Sequence, residues 1–254
     1  MRIVLIGAGN VATNLAPALS AKHEIAQIYS HTIDNARVLA HRVGCPKATA
    51  DLHQIITDAE VYIISVKDDA VAGIVDAVPD NGALWVHTSG SVPASVFASA
   101  RSHYGVFYPM QSFSKQIATA FHDVPFFIEG NDARSAEAIS ELARSISANV
   151  YAADSNTRRR LHIAAVFSCN IANHLWALAD EVLAEAGLPF DVMKPLIRTT
   201  VDKLDRLSPA DSQTGPAMRR DYDVMSKHLL MLSGDKHEVY DTLSKSIIKM
   251  HSKK

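Results

Sequence analysis

The stretch Arg2-Ile3-Val4-Leu5-Ile6-Gly7-Ala8-Gly9-Asn10-Val11-Ala12 joins an apolar run to a glycine-rich turn and then to the start of an amphipathic segment. Apolar residues in unbroken succession suit a strand whose sheet is covered by helices on both faces. The turn reads G-x-G-x-x-A. Gly7 permits the tight turn, Gly9 lets the backbone approach a pyrophosphate, and the small Ala12 lets the helix sit close against the strand. The first-turn N–H groups, at Asn10 and Val11, then face the phosphates with the positive end of the helix dipole. A Gly-x-Gly alone is common. Set directly between a strand and a helix, it points to dinucleotide binding rather than to a merely structural turn.

Outward from this turn, short apolar runs alternate with helical periodicity, the pattern of beta-alpha-beta units and a parallel sheet. Strands are predicted at Arg2 to Ile6, Glu24 to Tyr29, near Ala48, Val61 to Val66 and Ala83 to His87, with helices at Val11 to Ser20, Asp34 to Arg42 and Ala70 to Ala77. Further strands near Gly105 to Tyr108, Pro125 to Glu129 and Val150 to Ala152, with a helix at Ala133 to Ser147, extend the sheet. From Ser155 onward only amphipathic stretches follow: Arg159 to Ala186, Phe190 to Leu207, and Tyr222 to Met250 with a break at Ser233-Gly234. Asp154-Ser155 offers capping chemistry for a helix start, and Gly187 with Pro189 ends the longest stretch. The expected fold is α/β: a Rossmann-type, mostly parallel sheet in residues 1–153, followed by an all-helical C-terminal domain in 154–254.

The bulk composition fits this. The chain has 254 residues, 48% of them hydrophobic and 20% charged, as in an ordinary packed protein. Lys plus Arg at 25 against Asp plus Glu at 27 gives a net charge of -2, which argues against nucleic acid or an anionic membrane as partner. The basic tail, Lys245, Lys249, Lys253 and Lys254, reads as a solvated helix end. Cys45 and Cys169 stand far apart without metal or disulfide spacing, which fits a reducing, cytoplasmic setting. The apolar start superficially imitates a signal peptide, but Gly7, Gly9, Asn10 and Asn14 interrupt it early. No stretch reaches the roughly 18 apolar residues needed to span a bilayer.

The end of the second strand usually separates the two nicotinamide cofactors, because an acidic residue there binds the ribose 2'-hydroxyl of NAD. Here that place reads Ser30-His31-Thr32, with no carboxylate until Asp34. Hydroxyls, an imidazole and Arg37 favour the 2'-phosphate of NADP over NAD, or the site is simply permissive. Ser65-Val66-Lys67-Asp68 and His87-Thr88-Ser89-Gly90 end the fourth and fifth strands, where ligands of open parallel sheets gather. Ser65, Val66, Asp68, Ser89 and Gly90 thus border the nicotinamide ribose, or serve as ordinary loop and cap residues.

Together with these turns, a second set of residues carries a resemblance: Leu161 to Asn170, then Thr214-Gly215-Pro216-Ala217, Arg219, Asp221 and His228. Over nearly its whole length the chain resembles a family of Rossmann-like oxidoreductases with a helical C-terminal domain of unknown function. That family is related to pyrroline-5-carboxylate reductase and to deazaflavin-dependent NADP oxidoreductases. The resemblance implies a homodimer formed through the C-terminal helices, with the active site in a cleft between domains. Three departures stand out. The family pattern has His-Pro where this chain has Tyr108-Pro109, a proline at Lys67, and Arg-Gly-Asp at Arg219-Arg220-Asp221. The first removes a possible proton carrier.

Hydride transfer is the cofactor's chemistry, so the protein must orient a small polar carbonyl or imine and supply a proton. His162 is the first candidate donor and Asn170 a substrate hydrogen-bonder, with His228 a further candidate. Each could equally be a satisfied structural residue. Thr214 opens a rigid turn feeding Arg219 and Arg220, which could clamp a substrate carboxylate or phosphate, or form a salt-bridged helix start. No HExxH or other tight histidine pair suggests a metal, and neither a phosphate loop of the GxxxxGK[ST] kind nor a GxSxG elbow is present. Val166 and Cys169 stand where a β-hydroxyacid dehydrogenase would carry lysine before its cleft asparagine. The leading expectation is an NADP-dependent oxidoreductase; the alternatives are a non-catalytic NAD(P)-binding sensor or scaffold, and an interaction module built on the helices alone.

Overall fold

The computed structural model describes Met1 to Ser252, in two compact units, Met1–Asn170 and Ile171–Lys254. The first unit holds one eight-stranded sheet of order β3-β2-β1-β4-β5-β6-β7-β8. Its strands are β1 (Arg2–Ile6), β2 (Glu24–Tyr29), β3 (Ala48–Thr49), β4 (Val61–Ile64), β5 (Leu84–His87), β6 (His103–Pro109), β7 (Phe126–Gly130) and β8 (Val150–Ala152). All pairings are parallel except β6 with β7. The Rossmann-type, mostly parallel sheet expected from the sequence is therefore present.

Helices α1 (Asn10–Ser20), α2 (Ile33–Val43) and α4 (Ala133–Arg144) bury Leu15, Leu19, Leu39, Ile139 and Leu142 against one face of the sheet. Helix α3 (Val71–Ala77) covers the other face, where Tyr62 stacks on Trp85 at 4.3 Å with the Arg101 guanidinium 4.1 Å from the Trp85 ring. Ile3, Val4, Leu5 and Ile6 are all fully buried. That is why β1 reads as a continuous rather than an alternating apolar run.

The sequence pattern puts the domain boundary after residue 153, where strand candidates cease, but the compact units divide after Asn170. The reason is a buried ion pair. Helix α5 (Ser155–Ala165) is capped by Asp154, which accepts from the Thr157 N–H at 2.7 Å. One turn in, the fully buried Arg158 pairs with Glu129 of β7 at 2.5 Å and donates to the Val92 carbonyl at 2.6 Å. This ties α5 to the sheet that precedes it.

The helix then widens into a π turn at Val166–Ile171 before α6 (Ala172–Glu185). By length and composition Ser155–Glu185 could cross a membrane. Asn170, Asn173 and His174 interrupt its apolar character, and the buried Arg158 pair accounts for its first turns as part of a packed fold.

The second unit continues with α7 (Lys194–Asp202), the short α8 (Pro216–Arg219), α9 (Tyr222–Met231) and α10 (Gly234–His251). The helical C-terminal domain expected from the sequence is present, with two refinements. The Phe190 to Leu207 stretch is a central α-helix flanked by 3-10 turns at Phe190–Met193 and Lys203–Asp205, and α8 has no periodic signal of its own. Among this unit's described residues only Ala217, Met225 and Ser244 are buried.

Candidate functional site

Gly7 sits at φ +129, donates its N–H to the Tyr29 carbonyl at 2.8 Å, and has its Cα face pressed on β4: an added Cβ would lie 2.0 Å from the Ser65 carbonyl oxygen. Only glycine fits there. Gly9 differs, because a Cβ on it would meet nothing within 4 Å. It is the N-cap of α1, whose first turn holds no acidic side chain, and it opens onto a cavity of about 990 Å³. Gly9, Asn10 and Val11 line this cavity, while Ala12 lies beneath the turn, fully buried. Free first-turn N–H groups at such a mouth suit a phosphate.

The other strand ends meet at the same cavity. Ser30 and His31 line it from the end of β2, joined by Asn35, whereas Thr32 is the N-cap residue of α2 and does not reach it. Asp34 pairs with Arg37 at 3.7 Å on the exposed surface of α2. From β4 come Ser65, Val66, Lys67 and Asp68, and from β5 Thr88, Ser89 and Gly90. The Thr88 hydroxyl donates to Ser65 Oγ at 3.2 Å, and Ser89 Oγ accepts from the N–H groups of Ser91 and Val92 at 3.0 Å each. The Ser89 hydroxyl thus closes its own turn as a cap.

That turn is set from below by His87, fully buried, whose Nδ1 accepts the Ser89 N–H at 3.2 Å. Burial, with Arg158 nearby, pushes the His87 pKa down to about 3, so the ring is neutral at physiological pH.

At the far wall, Tyr108 at the end of β6 meets His162 of α5. The phenol oxygen lies 3.2 Å from His162 Nδ1, and the rings are edge to face with centroids 6.2 Å apart. Gly90 makes this pair possible: a Cβ there would fall 2.7 Å from His162 Nδ1 and 2.9 Å from Tyr108 Cζ. Arg158 stands four residues before His162 on one face of α5, so its buried pair with Glu129 fixes where His162 points. Burial, and Asp68 after it, raise the Tyr108 pKa, while Arg158 opposes them.

Tyr108 and His162 also border a second cavity of about 480 Å³, lined further by Met110, Gln111, Ser112, Ser168 and Asn170. His162 and Asn170 therefore share a wall. The π turn at Val166–Ile171 begins between them and includes Asn170, so regular α-helical spacing alone does not set their relative direction.

The remaining candidates lie in the second unit. His228 Nδ1 is 2.7 Å from the Tyr240 hydroxyl, and both line an apolar cavity of about 570 Å³. Thr214 precedes Gly215 at φ +104, the turn that starts α8. Arg219 ends α8; Arg220 follows in the left-handed region at φ 58, its guanidinium 3.2 Å from Ser252 Oγ. Asp221 caps α9 through the Val224 N–H, as a helix start in this stretch implies.

Sequence reasoning misses the segment after β6, from which Gln111, Phe113 and Lys115 line the larger cavity. It has no periodicity to find. One signal exists: Asn14, a polar residue on the apolar stripe of α1, is buried and grips this segment, donating to the Ser114 carbonyl at 2.8 Å and accepting from the Thr119 N–H at 3.0 Å.

Comparison with known proteins bears on this arrangement. The family model for coenzyme F420-dependent NADP oxidoreductases matches residues 2–88, and that for a domain of unknown function, DUF2520, matches 124–247. A Bacteroides fragilis protein described as a "putative NADP oxidoreductase" is 47% identical, with 98% of each chain covered and a TM-score of 0.91. A reductive aminase from Aspergillus terreus, solved with NADPH and ethyl-5-oxohexanoate, shares the fold at 12% identity, covering 98% of this chain and 93% of its own with a TM-score of 0.76. So does a 1-pyrroline-5-carboxylate reductase from Streptococcus pyogenes, at 15% identity, 99% and 98% coverage and a TM-score of 0.67. No curated protein matches the chain in sequence.

Proposed function

Since the chain belongs to the family of the Bacteroides protein, pairing an NADP-oxidoreductase-type Rossmann domain with a DUF2520 domain, we propose that it is an NADP-dependent oxidoreductase acting on a small polar carbonyl or imine compound. The observation that carries this reading is Gly9. Nothing in the protein occupies the place of its missing side chain, which faces the mouth of a cavity large enough for a dinucleotide. A glycine the fold does not need makes sense once a ligand needs it.

Gly9 and the α1 N-terminus would hold the pyrophosphate, and Ser30, His31 and Asn35 the adenosine ribose. No carboxylate among those three repels a 2'-phosphate, which supports NADP over NAD. Ser65, Val66 and Gly90 would flank the nicotinamide half. When bound, the reduced cofactor supplies hydride. The chain's own task is then to exclude water, orient the acceptor and provide a proton. The sensor alternative draws on the histidine lacking at position 108; a phenol within hydrogen-bond distance of His162 supplies a proton-carrying group there, which favours catalysis.

We also propose that the protein is a homodimer formed through its C-terminal helices. In the second unit Leu196 is 63%, Leu230 86% and Met231 80% exposed, apolar side chains that a second copy would cover, which supports this reading. Light scattering should give about twice 27.6 kDa, and a monomeric mass would refute the dimer.

The cofactor test is calorimetric titration with NADP, NADPH, NAD and NADH, repeated on Gly9→Asp. The phosphorylated pair should bind at least tenfold more tightly. Gly9→Asp should abolish binding without lowering the melting temperature, since its side chain enters open space. If none of the four binds, the reading fails.

A further inference from the structure

We propose that Tyr108 is the residue that hands the proton to the substrate, with His162 as the proton reservoir behind it and the cavity along α5 as the substrate's place. The inference rests on the oxidoreductase reading and adds to it an assignment of the acid.

Three observations support it. Tyr108 and His162 line both the larger cavity and the second one, so the pair stands where a ligand in either would meet its neighbour. Gly90 leaves no room for a side chain against either ring, so the two are held together rather than meeting by chance. The second cavity presents Ser112, Ser168, Gln111 and Asn170, hydroxyls and amides suited to a polar carbonyl or imine, beside Met110 and Leu161. The π turn at Val166–Ile171 puts Ser168 and Asn170 on that wall, and such turns recur at functional sites.

The geometry also divides the roles. His162 Nδ1 faces the phenol, so a proton leaving that nitrogen passes through Tyr108. In reduction, hydride adds to the carbonyl or imine carbon, and the π pair moves to the oxygen or nitrogen. That atom takes the Tyr108 hydroxyl proton. The phenolate takes the Nδ1 proton of the His162 imidazole while Nε2 takes one from solvent, so the ring passes a proton without net change of charge and returns to its Nδ1–H tautomer by exchange with solvent before the next turnover. One hydride and one proton are consumed for each carbonyl or imine reduced; oxidation runs the same path backwards. The raised pKa of Tyr108 keeps the phenol protonated between turnovers.

The test uses wild type, Tyr108→Phe and His162→Gln, with NADPH affinity measured by calorimetry and NADPH oxidation followed over a panel of small aldehydes, ketones and cyclic imines, including ethyl 5-oxohexanoate and 1-pyrroline-5-carboxylate. Both variants should bind NADPH within twofold of wild type. Tyr108→Phe should lose about 100-fold or more in kcat on every compound wild type accepts. Its residual rate should lose the pH dependence of wild type, and Tyr108→His, which restores a proton carrier, should regain part of the rate. In the cofactor-free protein, the His162 ring resonances should shift in Tyr108→Phe. Turnover by Tyr108→Phe within threefold of wild type, or His162 resonances indifferent to it, overturns the pair alone. Wild type that fails to bind NADPH, or binds it and oxidises it with no compound, overturns the oxidoreductase reading and the pair with it.

Discussion

The two units bury their residues very differently. In the first, four consecutive residues of β1, Ile3 to Ile6, reach zero exposure, and even an arginine, Arg158, is fully enclosed. In the second, ten-residue α9 and eighteen-residue α10 each bury a single residue, Met225 and Ser244. A sheet covered on both faces closes its own core; amphipathic helices whose apolar side chains stand exposed, as Leu230 and Met231 of α9 do, have not closed theirs. The contrast teaches that the first unit's stability is an internal matter, whereas the second unit, taken by itself, leaves much apolar surface uncovered.

The sharpest way to break that contrast is to open the first unit from within. Arg158→Met removes the buried guanidinium that joins α5 to Glu129 and the Val92 carbonyl, leaving Glu129 only the Ser155 hydroxyl, and should cost about 3 kcal/mol. Chemical denaturation would measure it. The matching change in the second unit, Lys236→Met, removes a lysine that bridges Glu181 at 3.3 Å and Glu185 at 3.0 Å at the surface, and should leave the transition where it is. Equal losses from both would erase the distinction.

Acid offers a second probe, of intermediate size. His87 has a pKa of about 3 when folded and 6.5 when exposed, so the unfolded chain takes up the proton first. Its contribution is constant above about pH 6.5 and is lost as pH falls from there towards 3. Each unit of separation is worth about 1.4 kcal/mol, so roughly 2 kcal/mol should be gone by pH 5. His87→Asn keeps an acceptor for the Ser89 N–H and removes the titration. Its stability should therefore fall less between pH 7 and pH 5, and an identical fall in both proteins would show that His87 is not the cause.

The smallest effect belongs to the second unit. Arg220 is the one non-glycine residue with positive φ among those described, at a position where the resembling family has glycine. Arg220→Gly should relieve about 1 kcal/mol of backbone strain, against the loss of one exposed contact to Ser252. A melting temperature about 2–4 °C higher is expected, and an unchanged or lower one would mean that the guanidinium contributes more than the strain costs.

These sizes track what can be read from the sequence. The strands β1, β2, β4 and β5 are legible because a continuous apolar run flanked by glycine or polar turns fits little else than a strand buried on both faces. The cavity lining from Gly7 to Gly90 is legible because ligands of such sheets gather at strand ends. Tyr108 reads, from sequence, as the loss of a histidine. Its significance depends on a contact fifty-four residues away and on space left by Gly90, neither of which has a local signature. The attachment of α5 to the sheet is hidden for a similar reason: Arg158 is one of three consecutive arginines, and nothing in that run tells which of them is buried. Periodicity finds faces, but pairings across the fold come only from coordinates.

Gly7 and Gly9 look alike in the motif, yet they answer to different masters. Replacing Gly7 collides with the chain itself, so any descendant that keeps the fold must keep that glycine whatever it does. Replacing Gly9 offends only a visitor. In a lineage that gave up its dinucleotide, position 9 would be free to drift to alanine or serine while position 7 stayed fixed, so comparing the two across relatives separates working descendants from retired ones before any assay is run.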